Sequence, residues 1–311
     1  MRALVATEAG RAAAPEEHPD PTGSVLEVGW SSLNYKDALA VAGRPGVLRS
    51  LPMVPGIDAV GAVADGRQVI VTGAGLGERT DGGLAQRVAI DPSTAVPVPD
   101  AFSPAQAAAI GTAGVTAALS VLALERDGIP DGPVLVTGAG RGVGGFAIAL
   151  LAAAGHEVHA ATGRADAIGD HLRALGAAEV VERLPAERGR PLQPARWAAV
   201  VDAVGGGALV NAIAQTLPGG TVAACGLAGS AELPGSVLPF ILRGVTLAGI
   251  FSVDLAPSMR RAAWDLLASR LPAAVVDRMT DRVIGLADVP AAAEDVLAGR
   301  ITGRVVVGLR R

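Results

Sequence analysis

Cysteine and histidine are scarce in this 311-residue chain, which has one cysteine, Cys225, and four histidines. A single cysteine cannot form an intrachain disulfide, so it favours a reducing compartment, and it excludes a four-cysteine zinc site. No cysteine lies in residues 1–100, and none of the histidines stands in a Cys/His group. The sequence therefore predicts chemistry without a bound metal.

Blocks of charge and a targeting segment are also missing. Lysine and arginine number 26 against 30 acidic residues, giving a net charge of −4 with no basic block, which argues against nucleic-acid or anionic-membrane partners. The N-terminal MRALVATEAG lacks the apolar core of a signal peptide. The run 105–124 is too polar for a membrane span, and buried helices at a domain junction explain it better. We therefore expect a soluble cytoplasmic protein that acts on a small molecule.

Glycine is abundant, and the most informative glycines lie in VLVTGAGRGVGG, residues 134–145. Gly140, Gly142 and Gly145 fit the pattern G-x-G-x-x-G, between an apolar β-branched run and the helical pattern FAIALLAAAG. A strand, a glycine turn and a helix N-terminus together form a binding site for a dinucleotide pyrophosphate. The alternative is a tight turn between two core elements.

A change in the pattern of predicted strands and helices along the chain indicates two domains. Short extended runs divided by Gly, Pro and Asp fill residues 1–100 and indicate a mostly antiparallel β unit with one short helix, 35–43. From Val134 onward apolar strands alternate with helices, which indicates a doubly wound parallel sheet. We predict an α/β protein with a catalytic domain of residues 1–106 and 252–311. The nucleotide domain, residues 107–251, is inserted within it.

The end of the second strand of the nucleotide domain selects the cofactor. That strand, EVHAATG, ends in Thr162, Gly163 and Arg164, with no carboxylate before Asp166. A hydroxyl and a guanidinium donate hydrogen bonds to a 2′-phosphate, whereas a carboxylate binds a free ribose hydroxyl. The pattern predicts NADPH, with Arg190 either as a second arm on the same phosphate or as an exposed loop arginine. The alternative is that Arg164 is a solvated charge and Asp166 holds the ribose.

Polar residues cluster in WSSLNYKDALAVAG, residues 30–43, where a strand meets a helix. Tyr35 is the only tyrosine, and its phenol is a good donor to a developing oxyanion; Asn34 is the second candidate for that task. Without a metal, the remaining hydride chemistry is reduction of an activated C=C bond or of a quinone. The alternative is that Tyr35 packs and Asp37 caps its helix.

Several motifs occur together in one order: SSLNYKDA, LPMVPGIDAVG, DGGLAQ, IGTAGVTA, the glycine turn, ATGR, VAACGLAG, LPFILRG and ITGRVVV. In this the chain resembles the zinc-free medium-chain dehydrogenases/reductases, in the acryloyl-CoA reductase and quinone oxidoreductase-like branch. The resemblance implies a GroES-like catalytic domain beside a Rossmann domain. It also implies NADPH-dependent reduction of an enoyl thioester such as acryloyl-CoA, and a homodimer formed through the nucleotide domains.

The resemblance also assigns cofactor contacts by position. It places Tyr35, Thr112, Leu227, Ile241 and Ser252 by the nicotinamide; Gly140, Arg141, Gly142 and Val143 at the pyrophosphate; and Thr162, Gly163, Arg164 and Arg190 at the 2′-phosphate. Arg141 departs from the small residue usual in the family's turn, and Phe251 replaces an aspartate. Cys225 falls in a matched strand and is interpreted as a buried small hydrophobe.

Three functions follow from these observations. The first is an NADPH-dependent enoyl thioester reductase, in which Arg44 and Arg49 are either partners for the phosphates of coenzyme A or solvated loop charges. The second is a quinone or enone reductase of the same fold. The third is an NADPH-binding protein without catalytic activity.

Overall fold

The computed structural model describes residues 1–310, which form two compact units. Unit 1 comprises Met1–Val115, Ser252–Ala268 and the described chain from Pro272 onward, and unit 2 comprises Thr116–Phe251 and Ser269–Leu271. The predicted boundary at 106/107 and this division differ because the division falls inside a helix, where composition does not change.

Fifteen strands and nine α-helices account for the regular structure of residues 1–310. The strands are β1 (Arg2–Val5), β2 (Ala14–Glu17), β3 (Val25–Leu33), β4 (Asp58–Ala62), β5 (Gln68–Thr72), β6 (Arg87–Ala89), β7 (Val96–Pro97), β8 (Val134–Val136), β9 (Val158–Thr162), β10 (Glu179–Glu182), β11 (Trp197–Asp202), β12 (Thr216–Ala224), β13 (Thr246–Gly249), β14 (Thr280–Gly285) and β15 (Arg304–Gly308). The helices are α1 (Tyr35–Val41), α2 (Pro104–Glu125), α3 (Gly142–Ala153), α4 (Ala165–Ala174), α5 (Gly206–Ala214), α6 (Leu238–Arg243), α7 (Pro257–Arg270), α8 (Ala273–Met279) and α9 (Val289–Leu297).

Unit 1 is built on a seven-stranded sheet in the order β14-β15-β3-β4-β5-β7, with β6 also paired to β3. All of its pairings are antiparallel except that of β14 with β15. Buried and half-buried residues alternate along the first half of β3, as expected for a strand with one face on the core. Leu4, Leu26, Val28 and Val305 are all within 1% of full burial in this core.

Unit 2 contains a six-stranded sheet in the order β10-β9-β8-β11-β12-β13, parallel throughout. Numbered within the unit this is 3-2-1-4-5-6, the order of a Rossmann fold, whose ligand crevice lies where the strand order reverses. The central strands β8 and β11 are buried along their whole length because helices cover both faces of the sheet.

The sequence expectation that run 105–124 is too polar for a membrane span is wrong, because helix α2 is long and apolar enough to cross one; however, 83% of its most apolar window is buried within the protein. Gly111 interrupts it with φ 46° and ψ −152°, so the segment is two helices joined at a break. Such burial is typical of a core helix.

Some elements differ from those that the sequence predicts. The helical pattern from Ala208 ends at Ala214, and the following TLPGG enters β12, because pairing with β11 overrides the local pattern. Strand β1 lies in one of the predicted extended runs, whereas β2, α6, α8, β13 and β14 are not anticipated.

Candidate functional site

The reversal of strand order in unit 2 is marked by a buried hydrogen bond. Thr137 follows β8 and Asp202 ends β11, and the Thr137 hydroxyl donates to Asp202 Oδ1 at 2.6 Å. Asp202 Oδ2 accepts the backbone N–H of Gly205 at 2.7 Å, and burial raises the pKa of its carboxyl. The carboxyl ends of β8 and β11 are therefore fixed side by side at the crevice.

The predicted glycine turn lies at this crevice. Gly138 has φ 63°, and a Cβ on Gly144 would lie 2.5 Å from the Gly138 carbonyl oxygen, so the turn and the helix approach closely. Arg141 precedes the first helical residue, Gly142, and its carbonyl accepts the N–H of Gly145 at 2.9 Å. The first N–H groups of α3 have no partner within the helix, which suits a pyrophosphate. Val143 is half-buried in this first turn.

The end of β9 carries the residues predicted to select the cofactor. The hydroxyl of Thr162 accepts the backbone N–H of Arg164 at 3.1 Å, which fixes the turn into α4. The Arg164 guanidinium lies over the glycine turn, because a Cβ on Gly140 would be 3.1 Å from Arg164 Nη2. The structure thus brings Arg164 and the glycine turn together, as the sequence predicts.

A second arginine at this end is Arg183, which the sequence interpretation missed. Thr162 pairs with Glu182, the last residue of β10, so Arg183 follows next to it. A Cβ on Gly163 would lie 3.2 Å from Arg183 Nε. The available signal was its position directly after the strand beside β9, where carboxyl ends of parallel strands meet at one edge.

Arg190, predicted as the second arm, is exposed on the loop before β11. Its carbonyl accepts from Gln193 at 3.4 Å, and its neighbour Gly189 donates to Asn211 Oδ1 of α5 at 3.0 Å. These contacts hold its loop against α5, whereas Arg183 lies beside Gly163. Asp166, the alternative ribose ligand, is exposed in the first turn of α4, where a carboxylate also stabilises the helix.

These features fit a dinucleotide with a phosphorylated adenosine. At Gly138 and Gly144 the turn and the start of α3 pack closely, as in a turn that presents backbone N–H groups to a pyrophosphate. Arg164 and Arg183 provide two guanidinium groups at the end of β9, which suit a 2′-phosphate.

In unit 1, Tyr35 opens α1 and is 39% exposed, so its phenol is accessible from outside the unit. The next residue, Lys36, forms an ion pair with Glu78, and burial lowers the pKa of its ammonium group.

The side-chain amide of Asn34, the second predicted oxyanion donor, already donates hydrogen bonds within the protein. Its side-chain nitrogen donates to Asp37 Oδ2 at 2.9 Å and to Asp58 Oδ2 at 2.7 Å, and its backbone N–H donates to Asp37 Oδ2 at 2.8 Å. Because the amide has two hydrogens and both have carboxylate partners, Asn34 has none left for a substrate. The structure therefore corrects its role to that of a bridge between two carboxylates.

The two carboxylates that Asn34 bridges, those of Asp37 and Asp58, have different further partners. Asp37 also accepts the backbone N–H of Ile57 at 2.9 Å, and burial, then the charge of Asp58, raises its pKa to about 7. Asp58 has the buried guanidinium of Arg304 as a counter-charge at 3.7 Å. Burial lowers the pKa of Arg304, which also donates to Ala109 O at 2.8 Å.

Thr112, predicted to lie by the nicotinamide, begins the second part of α2. Its backbone N–H and hydroxyl both donate to Asp58 Oδ1, at 2.9 and 2.6 Å. A Cβ on Gly111 would clash with Asp58 Oδ2, so the break in α2 makes room for this carboxylate. Arg304 donates to the hydroxyl of Ser32 at 2.7 Å, and Ser32 donates to Asp58 Oδ2 at 2.6 Å.

The remaining predicted residues fall in both units. In unit 2, Leu227 and Ile241 are 64% and 71% exposed. Ser252 is the first residue of the chain returning to unit 1. The Cys225 thiol donates to the Asp202 carbonyl at 3.2 Å, and burial raises its pKa to about 12, so it is not a nucleophile at neutral pH.

Two curated relatives match the chain over most of its length. The chain is 44% identical over 300 residues to the acrylyl-CoA reductase AcuI of Ruegeria pomeroyi, covering 92% of this chain and 90% of the relative. It is 42% identical over 299 residues, with the same coverage, to the putative quinone oxidoreductase YhfP of Bacillus subtilis. The chain belongs to the medium-chain dehydrogenases/reductases. It lies in their acrylyl-CoA reductase and quinone oxidoreductase-like branch, and it is an oxidoreductase.

Solved structures of medium-chain dehydrogenases/reductases confirm the predicted fold class, a GroES-like unit with a Rossmann unit. The YhdH oxidoreductase of Salmonella enterica, in complex with NADP, has a TM-score of 0.95 at 41% identity, covering 99% of this chain and 100% of that one. YhfP of Bacillus subtilis, with NAD bound, has a TM-score of 0.93 at 39% identity and covers 99% of both chains.

The family model for the zinc-binding dehydrogenase matches residues 142–269, a range that begins within the glycine turn, at Gly142. Within residues 1–310, no group of three or more His, Cys, Asp or Glu side chains is arranged to hold a metal ion.

Proposed function

We propose that this protein is an NADPH-dependent reductase of an activated C=C bond, and that its substrate is a 2-enoyl thioester such as acryloyl-CoA. The observation that carries the cofactor choice is the pair of guanidinium groups, Arg164 and Arg183, beside the turn after β9. The NADP-bound relative from Salmonella enterica supports the same choice. The relatives named acrylyl-CoA reductase support the substrate class.

NADPH, when bound, supplies the hydride. In unit 2, the first N–H groups of α3 hold the pyrophosphate, with Arg141, Gly142 and Val143 in that turn, and Thr162, Arg164 and Arg183 hold the 2′-phosphate. Two charge-assisted contacts from the arginines favour NADPH over NADH. Thr112, Leu227, Ile241 and Ser252 remain proposed contacts on the nicotinamide side.

Tyr35 is the proposed group at the substrate. Addition of hydride to the β-carbon of an enoyl thioester places negative charge on the thioester oxygen. The phenol of Tyr35 donates a hydrogen bond to that oxygen and lowers the barrier by stabilising the developing charge. This chemistry needs no Lewis acid, and zinc independence is part of the proposal. Asn34 takes no part at the substrate because its amide is engaged by Asp37 and Asp58.

The test is a substrate panel with the purified protein. We expect NADPH oxidation with acryloyl-CoA and crotonyl-CoA, with the saturated acyl-CoA formed in equal amount, and little turnover of quinones. Turnover of quinones alone overturns the thioester assignment. It favours the second candidate, a quinone or enone reductase, which the name of the Bacillus subtilis relative supports. NADPH binding with no turnover of any acceptor favours a non-catalytic role.

The exposed apolar residues of unit 2 support a homodimer. Besides the two proposed nicotinamide contacts, they are Leu233, Val237, Leu238, Leu242 and Phe251, between 38% and 63% exposed. Exposed apolar side chains that lie together mark interaction surfaces, and a second copy is the proposed partner that covers these five. Sedimentation equilibrium tests this: we expect a dimer that Leu242→Asp dissociates. A monomeric wild type contradicts it. We also propose a cytoplasmic location, since the described sites need no other compartment.

A further inference from the structure

A group of basic side chains lies around Lys36, the residue that follows Tyr35 on α1 in unit 1. Burial lowers the pKa of the Lys36 ammonium group; the charges of nearby Asp37 and Asp254 raise this pKa, and those of nearby Arg49 and Arg79 lower it. We call Lys36, Arg49 and Arg79 the basic cluster. Their stretches of sequence are separate, so the fold brings them together.

The basic cluster is held in place by the surrounding backbone. Lys36 pairs with Glu78, whose backbone carbonyl accepts the N–H of Arg49 at 2.8 Å. The Arg79 guanidinium binds both carboxylate oxygens of Asp254, at 2.5 and 3.1 Å. Loop 73–80 is also tied to the segment after residue 252, since the N–H of Ala74 donates to the Val253 carbonyl at 2.9 Å. These bonds make the cluster a fixed feature of the surface.

Within the described part of the chain, two of the three cations in the basic cluster are paired with carboxylates, and the third, Arg49, is not. Glu78 neutralises Lys36 and Asp254 neutralises Arg79. Arg49 is exposed, and within residues 1–310 the structure gives its guanidinium no carboxylate partner. An anion approaching Arg49 also meets the half-exposed Lys36 and Arg79, which are 36% and 49% exposed. Guanidinium groups bind phosphate oxygens in pairs, so this face suits a phosphorylated group.

We propose that the basic cluster of Lys36, Arg49 and Arg79 binds the phosphate groups of the coenzyme A portion of the substrate. This inference rests on the proposed function for the identity of the substrate, because the acyl end has to reach Tyr35. Of the two arginines that the sequence suggests for this task, Arg49 belongs to the cluster. The described contacts of Arg44 are limited to its backbone N–H, which donates to the Leu39 carbonyl at 2.9 Å.

The experiment compares a thioester that carries the phosphates of coenzyme A with one that does not. Acryloyl-CoA carries them, whereas acryloyl-N-acetylcysteamine lacks them together with the adenosine and most of the pantetheine arm. The variants are Arg49→Ala, Arg49→Glu and the control Arg67→Ala, an exposed arginine paired with Asp65 at the far end of the β4–β5 hairpin.

With Arg49→Glu we expect the KM for acryloyl-CoA to rise about fivefold or more, the scale of an exposed charge pair, while kcat stays unchanged. Arg49→Ala should have a smaller effect in the same direction, and Arg67→Ala none. The KM for the N-acetylcysteamine thioester should not change in any variant. Added salt should raise only the KM for acryloyl-CoA. Equal changes for both thioesters, or no change for either, overturn the proposal.

A binding measurement separates failure of this inference from failure of the proposed function. The probe is adenosine 3′,5′-bisphosphate, titrated into protein already saturated with NADP so that the cofactor site is filled. Binding that Arg49→Glu weakens and Arg67→Ala preserves supports the phosphate site even if neither thioester is reduced. That result would overturn the proposed reaction and leave the phosphate site supported. Absence of binding, or equal binding to all variants, overturns the site.

Discussion

The carboxylate of Asp58, at the start of β4, accepts both the backbone N–H and the hydroxyl of Thr112, at 2.9 and 2.6 Å. A side chain from a distant strand thereby caps the helix that restarts after Gly111, a task that the residue before a helix usually performs. The negative charge also suits the positive end of that helix. One buried carboxylate thus fixes α1 through Asn34 and the second part of α2 through Thr112.

Asp58→Asn should destabilise unit 1 strongly. The amide would place donor hydrogens against the donors of Ser32 and Thr112, and it would leave the buried Arg304 without its counter-charge. We expect a loss of about 3–5 kcal/mol in the free energy of unfolding, measured by urea denaturation. Asp65→Asn, at an exposed turn, is the control and should change stability by less than about 0.5 kcal/mol. Similar losses in the two variants would contradict the network.

Gly111→Ala tests the room that the break in α2 provides. Gly111 has φ 46°, and a Cβ there would clash with Asp58 Oδ2. The control is Gly128→Ala, where φ is also positive at 85° but the space around a Cβ is open. The control should lose about 1–2 kcal/mol from backbone strain alone, and Gly111→Ala should lose clearly more. If thermal unfolding showed equal losses of stability in Gly111→Ala and Gly128→Ala, the clash with Asp58 would carry no free-energy cost.

Cofactor preference tests the two arginines at the end of β9. Arg164→Ala and Arg183→Ala should each weaken NADPH binding by about 1.5–3 kcal/mol, the scale of a hydrogen bond to a charged group, with NADH binding little changed. Arg190→Ala, on the loop held to α5, should leave NADPH affinity unchanged. Calorimetric titration measures each constant. A large loss in Arg190→Ala with none in Arg183→Ala would reverse the assignment.

Tyr35→Phe removes one hydroxyl from an accessible side chain. If the phenol donates to the thioester oxygen, kcat for acryloyl-CoA should fall about 10²-fold, the lower range for a lost general acid. The dissociation constant for NADPH should stay within about twofold, since the ring remains in place. An unchanged kcat would remove Tyr35 from the chemistry.

The stability of the protein should depend on pH through Asp37. Its pKa is raised to about 7 by burial and by Asp58, against an ordinary value of 3.8, so the folded state binds the proton more tightly than the unfolded chain. The stabilisation is therefore fully present below pH 3.8 and is lost as pH rises to about 7. Relative to Asp37→Asn, the free energy of unfolding of the wild type should fall by up to about 1.4 kcal/mol per pH unit between pH 5 and 7, and the fall should be nearly complete at pH 8. Urea denaturation at each pH measures both proteins, and an equal dependence on pH in the two would contradict this prediction.

The sequence predicts those parts of the molecule that depend on local pattern. The glycine turn, α3, β9 and Arg164 follow one another within a short stretch, so their spacing defines the site. The choice between Arg183 and Arg190 was not predictable in this way, since both lie in a charged loop after β10. Arg183 is the one beside Gly163 because it directly follows β10, whose last residue pairs with the last residue of β9. That pairing register between two strands cannot be derived from local sequence.

The role of Asn34 was out of reach for a different reason. Its neighbours in sequence suggest a polar site, but its decisive partner Asp58 lies 24 residues away. A polar residue offered to substrate and one bridging two carboxylates have the same local pattern. Strand β14 was missed because its sequence, TDRVIG, does not alternate polar and apolar residues; pairing with β15 stabilises it.

The single thiol has a practical consequence for spectroscopy. With a pKa of about 12, Cys225 is almost entirely protonated at neutral pH and reacts slowly with maleimides. A new cysteine at a chosen surface position can therefore carry a fluorophore or spin label while the native residue stays in place. Distances within the protein can then be followed in solution during turnover, without first constructing a cysteine-free parent.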